Sequence, residues 1–90
     1  MQIKISAPLR KKLKKLKKLD PKLSKRIEKQ LSLFADNPKH TSLRLHKLSG
    51  ELKNLWSISI SKDIRMIYVI EEDTAYFTVL GTHDEAYRKQ

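Results

Sequence analysis

The spacing of apolar residues changes period along this chain, and each change marks an element. Residues 2–6 alternate, with Ile3 and Ile5 on one side, and predict a short first strand. Ser6 followed by Ala7-Pro8 is a helix start, with the proline tolerated in the first turn. Leu9, Leu13 and Leu16 then recur at spacings of four and three, a narrow apolar stripe with lysine around it. Asp20-Pro21 stops that helix and caps a second, whose stripe is Leu23, Ile27, Leu31 and Phe34 and which Asn37-Pro38 ends. The pattern predicts two antiparallel helices of about ten and fifteen residues.

Beyond Pro38 the period becomes that of a strand. Residues 42–48 predict a strand with Ser49-Gly50 as its turn. Trp56, Ile58 and Ile60 alternate with Ser57, Ser59 and Ser61, so one face is expected against the helices and the serine face open. Ser61-Lys62-Asp63 makes a tight connection into residues 64–70, whose nearly continuous apolar character suits a central strand. Glu71-Glu72-Asp73 turns into a last strand at 75–80. Gly81-Thr82-His83-Asp84 closes it, and Asp84-Glu85-Ala86-Tyr87 opens a short terminal helix. The expected fold is α+β, in the order β-α-α-β-β-β-β-α: a single domain over residues 1–90 with an antiparallel sheet and the helices on one face.

Composition narrows the function. The 90 residues include no cysteine, which excludes a disulfide scaffold, a thiolate zinc site and a cysteine nucleophile. No apolar run approaches the ~20 residues of a bilayer span, and the N-terminus lacks a secretory apolar core, so a cytoplasmic protein is expected. The net charge of +10 is polarised: residues 1–50 hold 15 basic and 3 acidic side chains, whereas residues 51–90 hold 5 and 7. Such a field attracts polyanions, nucleic acid or an anionic surface, although a charge run is often only a solvated face.

Few residues carry candidate chemistry. Arg65 interrupts the apolar run 64–70; it either finds an acid such as Glu71 or Glu72, or presents a planar fork to a phosphate on an exposed sheet face. Asp63 precedes it by two residues and, if the pleat continues, shares its side with the Ser57/Ser59 face. His83 sits at a strand end, where its near-neutral titration suits proton transfer, with Tyr87 four residues on. His46 stands beside Arg44 and Lys47, a basic setting suited to RNA. Any one such histidine is more often a surface or packing residue than a catalyst. No histidine pair has metal-ligand spacing, so neither metal nor cofactor is expected.

Four stretches in order carry a resemblance: His46-Lys-Leu-Ser-Gly50, Leu55-Trp-Ser-Ile-Ser59, Asp63-Ile-Arg-Met-Ile-Tyr68 and Gly81-Thr-His-Asp-Glu-Ala-Tyr87. Together they resemble the RelE/ParE superfamily of toxin–antitoxin toxins, most closely its YafQ-like branch, over nearly the whole chain. The resemblance implies an endoribonuclease that cuts mRNA in the ribosomal A site and is neutralised by a cognate antitoxin, with operator DNA bound only through the antitoxin complex. It also implies that His46, Asp63, His83 and Tyr87 occupy active-site positions and that Arg65 contacts the scissile phosphate. Ser59 stands where the YafQ-like pattern has a further histidine.

RNA supplies its own nucleophile in the 2′-hydroxyl, so such a site needs only a base, an acid and a clamp for the charged phosphorane. His46 or Asp63 would be the base, His83 the acid, Arg65 the clamp, and Tyr87 would stack on a base or orient the phosphate. Lys11, Lys14, Lys15 and Lys18 would find a footing on ribosomal RNA, joined by Arg44 and Lys47, and the same lysines would attract an acidic antitoxin segment. The alternative from another class is a ParE-like inhibitor of DNA gyrase on the same fold. A membrane-active segment at residues 11–19 is disfavoured, because its leucines are needed in the core.

Overall fold

The computed structural model describes residues 1–47 and 55–82. Its elements are β1 (Gln2–Ile5), α1 (Ala7–Leu19), α2 (Pro21–Asp36), a 3-10 turn (Thr41–Leu43), β2 (His46–Lys47), β3 (Leu55–Ser59), β4 (Ile64–Glu71) and β5 (Thr74–Thr82). The strands form one sheet in the order β1-β5-β4-β3-β2, so the nearly continuous apolar strand is indeed the middle one.

Capping explains the helix bounds. Ser6 Oγ accepts from the Leu9 amide at 3.3 Å, and Pro8 falls in the first turn, where no donor is lost. Asp20 is the whole connection between the helices. Its amide donates to Leu16 O at 2.7 Å, ending α1, and its Oδ1 accepts from the Leu23 amide at 3.1 Å, starting α2. α1 runs 13 residues, longer than its leucine stripe alone predicts, because the last turn continues to an exposed Leu19 before this cap.

Both helices pack on one face of the sheet. Leu9 from α1 and Ile27 and Phe34 from α2 join Leu43, Ile58, Ile60, Met66, Tyr68, Ala75, Phe77 and Leu80 in one buried cluster. At its centre three rings meet at short range: Phe34 lies 5.0 Å from Tyr68 and 5.4 Å from Phe77, both edge-on, and Tyr68 lies 4.9 Å from Phe77. Burial pushes the Tyr68 phenol up to about 12. The opposite face carries a small apolar group, Ile67 with Leu55 and Val79.

Three expectations need correction. The sheet is mixed: β1 pairs with β5 in parallel, Ile3 opposite Ala75 and Ile5 opposite Phe77, while the other pairs are antiparallel. Alternation specifies which face a residue takes, not the direction of its strand, so pairing sense was hidden. The strand expected over 42–48 opens instead with the end of a 3-10 turn, followed by a left-handed Arg44 (φ 45°), and its described residues pair only as the two-residue β2. Finally, the serine face is not open throughout, because Ser57 is fully buried. The turn expected at Ser49-Gly50 and the terminal helix lie outside the described residues.

Candidate functional site

Register decides which side chains share the face away from the helices. Directly opposed residues of an antiparallel pair point the same way. His46 opposes Ser57, and Ser59 opposes Arg65. His46, Ser57, Ser59 and Arg65 therefore lie on one face, the face without helices. Gly81, opposite Arg65 on the other side, places no side chain there.

The Arg65 guanidinium is held by neutral oxygens. Its Nε donates to Ser57 Oγ at 2.9 Å, and its Nη2 donates to Arg44 O at 2.8 Å and Ser57 O at 3.3 Å. Among the described residues it bonds to no carboxylate, so the ion pair with Glu71 or Glu72 that the sequence allowed is not formed. The left-handed turn at Arg44 brings that carbonyl within reach. Among the described residues the fork is oriented without being neutralised, an arrangement suited to an anion.

Arg65 lines a cleft of about 380 Å³ at the end of β3 and β4, together with three other cations, Arg26, Arg44 and Lys62. Among the described residues, the hydroxyl-bearing Ser42, Ser59 and Ser61 complete the lining, and no carboxylate belongs to it. Two α2 side chains that the sequence did not single out tie down the chain here: Arg26, which lines the cleft, and Gln30 behind it. Buried Gln30 donates through Nε2 to Ser59 O at 2.8 Å, and Arg26 donates through Nε to Ile60 O at 2.7 Å. They cover the carbonyls of the last β3 residue and of the one after it, beyond the described pairing with β2. Their partners lie about thirty positions away in sequence, beyond any local signal.

The remaining sequence candidates scatter. Asp63 is exposed and outside the cleft lining, because β4 begins at Ile64 and the pleat stops one residue short of it. Lys47 points to the helix side, its Nζ 5.6 Å from the Trp56 ring centroid. Lys11, Lys14, Lys15 and Lys18 are exposed along α1, and none lines the cleft. Lys12 on the same helix is instead tied down, donating to Leu80 O at 2.9 Å. His83 and Tyr87 lie outside the described residues. Among the described residues, no three His, Asp or Glu side chains gather to hold a metal, and no helix is long and apolar enough to cross a membrane.

Comparison with known proteins agrees with this fold. The family model described as the bacterial toxin of type II toxin–antitoxin system, YafQ, matches residues 1–88. A YoeB/ParE toxin from Agrobacterium tumefaciens is similar in structure at a TM-score of 0.77 and 14% identity, over 92% of this chain and 99% of that one. YafQ from E. coli strain BL21(DE3) is similar at 0.73 and 20% identity, over 96% of this chain and 97% of that one. The E. coli DinJ–YafQ complex gives 0.74 and 19% identity over the same shares, 96% and 97%. No curated protein sequence matches the chain.

Proposed function

The chain belongs to the YafQ family of bacterial type II toxin–antitoxin toxins, and from that premise we propose that it is an endoribonuclease that cleaves mRNA in the ribosomal A site. The observation that carries this reading is Arg65: an oriented guanidinium, bonded to no carboxylate among the described residues, on the same sheet face as His46. In the proposed reaction a base takes the 2′-hydroxyl proton, O2′ attacks phosphorus, and the P–O5′ bond breaks. An acid protonates the departing 5′-oxygen, leaving a 2′,3′-cyclic phosphate and a 5′-hydroxyl. Arg65 stabilises the extra negative charge on the phosphorane oxygens.

His46 is preferred to Asp63 as the base, since it pairs opposite Ser57, the partner of Arg65, whereas Asp63 precedes the start of β4; neither lines the cleft itself. His83, next in sequence after Thr82, is the proposed acid, and Tyr87 the residue that stacks on or orients the substrate. Ser59, opposite Arg65, brings a hydroxyl where the family pattern has an imidazole, so this site works with fewer titrating groups. The exposed α1 lysines serve as footing on ribosomal RNA and as the landing surface of an acidic antitoxin segment. A cognate antitoxin partner is in keeping with the DinJ complex of E. coli YafQ.

The test is mapping of mRNA 5′ ends in cells after induction, beside His83→Ala and Arg65→Ala. New ends inside reading frames at a fixed codon position are expected, with cleavage lowered ~10²–10⁴-fold in the variants. Growth arrest without new ends would transfer the toxin to another target, DNA gyrase first. Undiminished ends in both variants would show the site to be wrongly placed.

A further inference from the structure

The cleft holds more positive charge than one scissile phosphate requires. Among the described residues it gathers four cations and no carboxylate, and two of the four are oriented guanidinium groups anchored on different parts of β3 and its extension. Arg65 is held at Ser57 and Arg26 at Ile60, three residues further along the chain. An extended chain spans about 10 Å over three residues, so the two forks are anchored at separate points of the cleft. Arg26 uses only Nε for its anchor, so both its Nη groups are without a partner among the described residues. Exposed Lys62 and the half-buried Ser61 stand on the turn beside it.

We infer that Arg26, Ser61 and Lys62 form a second phosphate subsite, which receives the backbone phosphate next to the one gripped by Arg65 as a single RNA strand passes round the sheet edge towards α2. This subsite rests on the nuclease reading for the identity of its ligand. Its chemistry is that of backbone recognition, with charge and hydroxyl donors and no group aimed at a base edge. It therefore fixes the direction in which the strand leaves the reacting centre without selecting sequence.

Uncleavable 2′-O-methyl RNA tests this with the full-length protein. A dinucleotide carries one phosphodiester and a trinucleotide carries two. The wild type is expected to bind the trinucleotide about tenfold more tightly, the scale of one charge-assisted hydrogen bond. Arg26→Gln, which keeps a donor for Ile60 O, and Lys62→Gln, on an exposed turn, are expected to lose most of that gain while binding the dinucleotide like wild type. The salt dependence of trinucleotide binding should fall by ~0.7 in log–log slope for each phosphate that is no longer neutralised. Lys39→Gln, outside the cleft, is the control and should change neither.

A length gain that survives in the Arg26→Gln, Lys62→Gln double variant would overturn the subsite, as would equal loss of both ligands. Displacement of the trinucleotide by a polyglutamate peptide of matched charge, weakened by the same substitutions, would reassign the cleft to an acidic protein segment and overturn it too. Because neither RNA has a reactive 2′-hydroxyl, these results stand whether or not the protein cleaves mRNA. Failure of the nuclease reading would show only in the mapping of mRNA ends.

Discussion

The two faces of the sheet use opposite chemistry. On the helix side, eleven buried apolar residues close over one another, and the aromatic trio of Phe34, Tyr68 and Phe77 sits at the centre. On the other side a small group around Ile67 shares the surface with Arg65, Ser57, Ser59 and His46. One β-strand serves both, since alternation sends Met66 and Tyr68 one way and Arg65 and Ile67 the other. The lesson is that a small protein can keep charged, strained features such as the Arg44 turn on one face because the opposite face supplies the stability.

That division can be broken from either side. The largest effect is expected from Phe34→Ala, which empties the centre of the helix side and should lower unfolding free energy by about 3–5 kcal/mol in urea melts. If stability barely changes, the aromatic cluster is not the fold's foundation.

Next comes Tyr68. Its phenol ionises at about 12 in the folded protein against an ordinary 10.0, so the folded state keeps a proton that the unfolded chain gives up between those values. Its stabilising contribution is complete below pH 10 and is lost as pH rises through 12, by at most about 3 kcal/mol. Relative to Tyr68→Phe, measured in parallel so that lysine titration cancels, the wild type should weaken across that window. Parallel pH curves would contradict burial as the cause.

Smallest is Ser57→Ala, which removes the Oγ partner of Arg65 Nε and should slow cleavage about tenfold through misorientation of the fork. In an Arg65→Ala background the same change should have no further effect. An additive loss would mean that Ser57 acts by some other route than Arg65.

Helix boundaries were legible because their causes are local. Ser6, Pro8, Asp20, Pro21 and Asn37 each act within a turn of their own position, and the structure stops and starts its helices there. The central place of residues 64–70 was legible as well, from an apolar run suited to burial on both sides. What escaped was decided at long range. Residues 42–48 carry a strand-like pattern, yet among the described ones only His46 and Lys47 pair with β3, because the 3-10 turn and Arg44 set where the chain reaches the sheet edge. Ser57 reads as a solvent-facing hydroxyl until Arg65 is seen to bond it. Arg26 looks like one more surface cation until its partner, Ile60 O, is in view. Arg65 stands out in the sequence because a charge inside an apolar run needs a partner, and the structure gives it Ser57 and the Arg44 carbonyl.

The Asp20 joint has a consequence for the basic half of the chain. With one residue ending α1 and starting α2, no slack separates the helices, and the lysines of α1 are borne on a bracket fixed to the core through Leu9 and Lys12. A basic tail must give up its freedom when it meets a polyanion, and that ordering weakens its grip. Here the backbone freedom was already given up in folding. The cations meet a partner as a template of set shape, one that favours polyanions whose charges are spaced to match and gains little from those that merely carry enough of them.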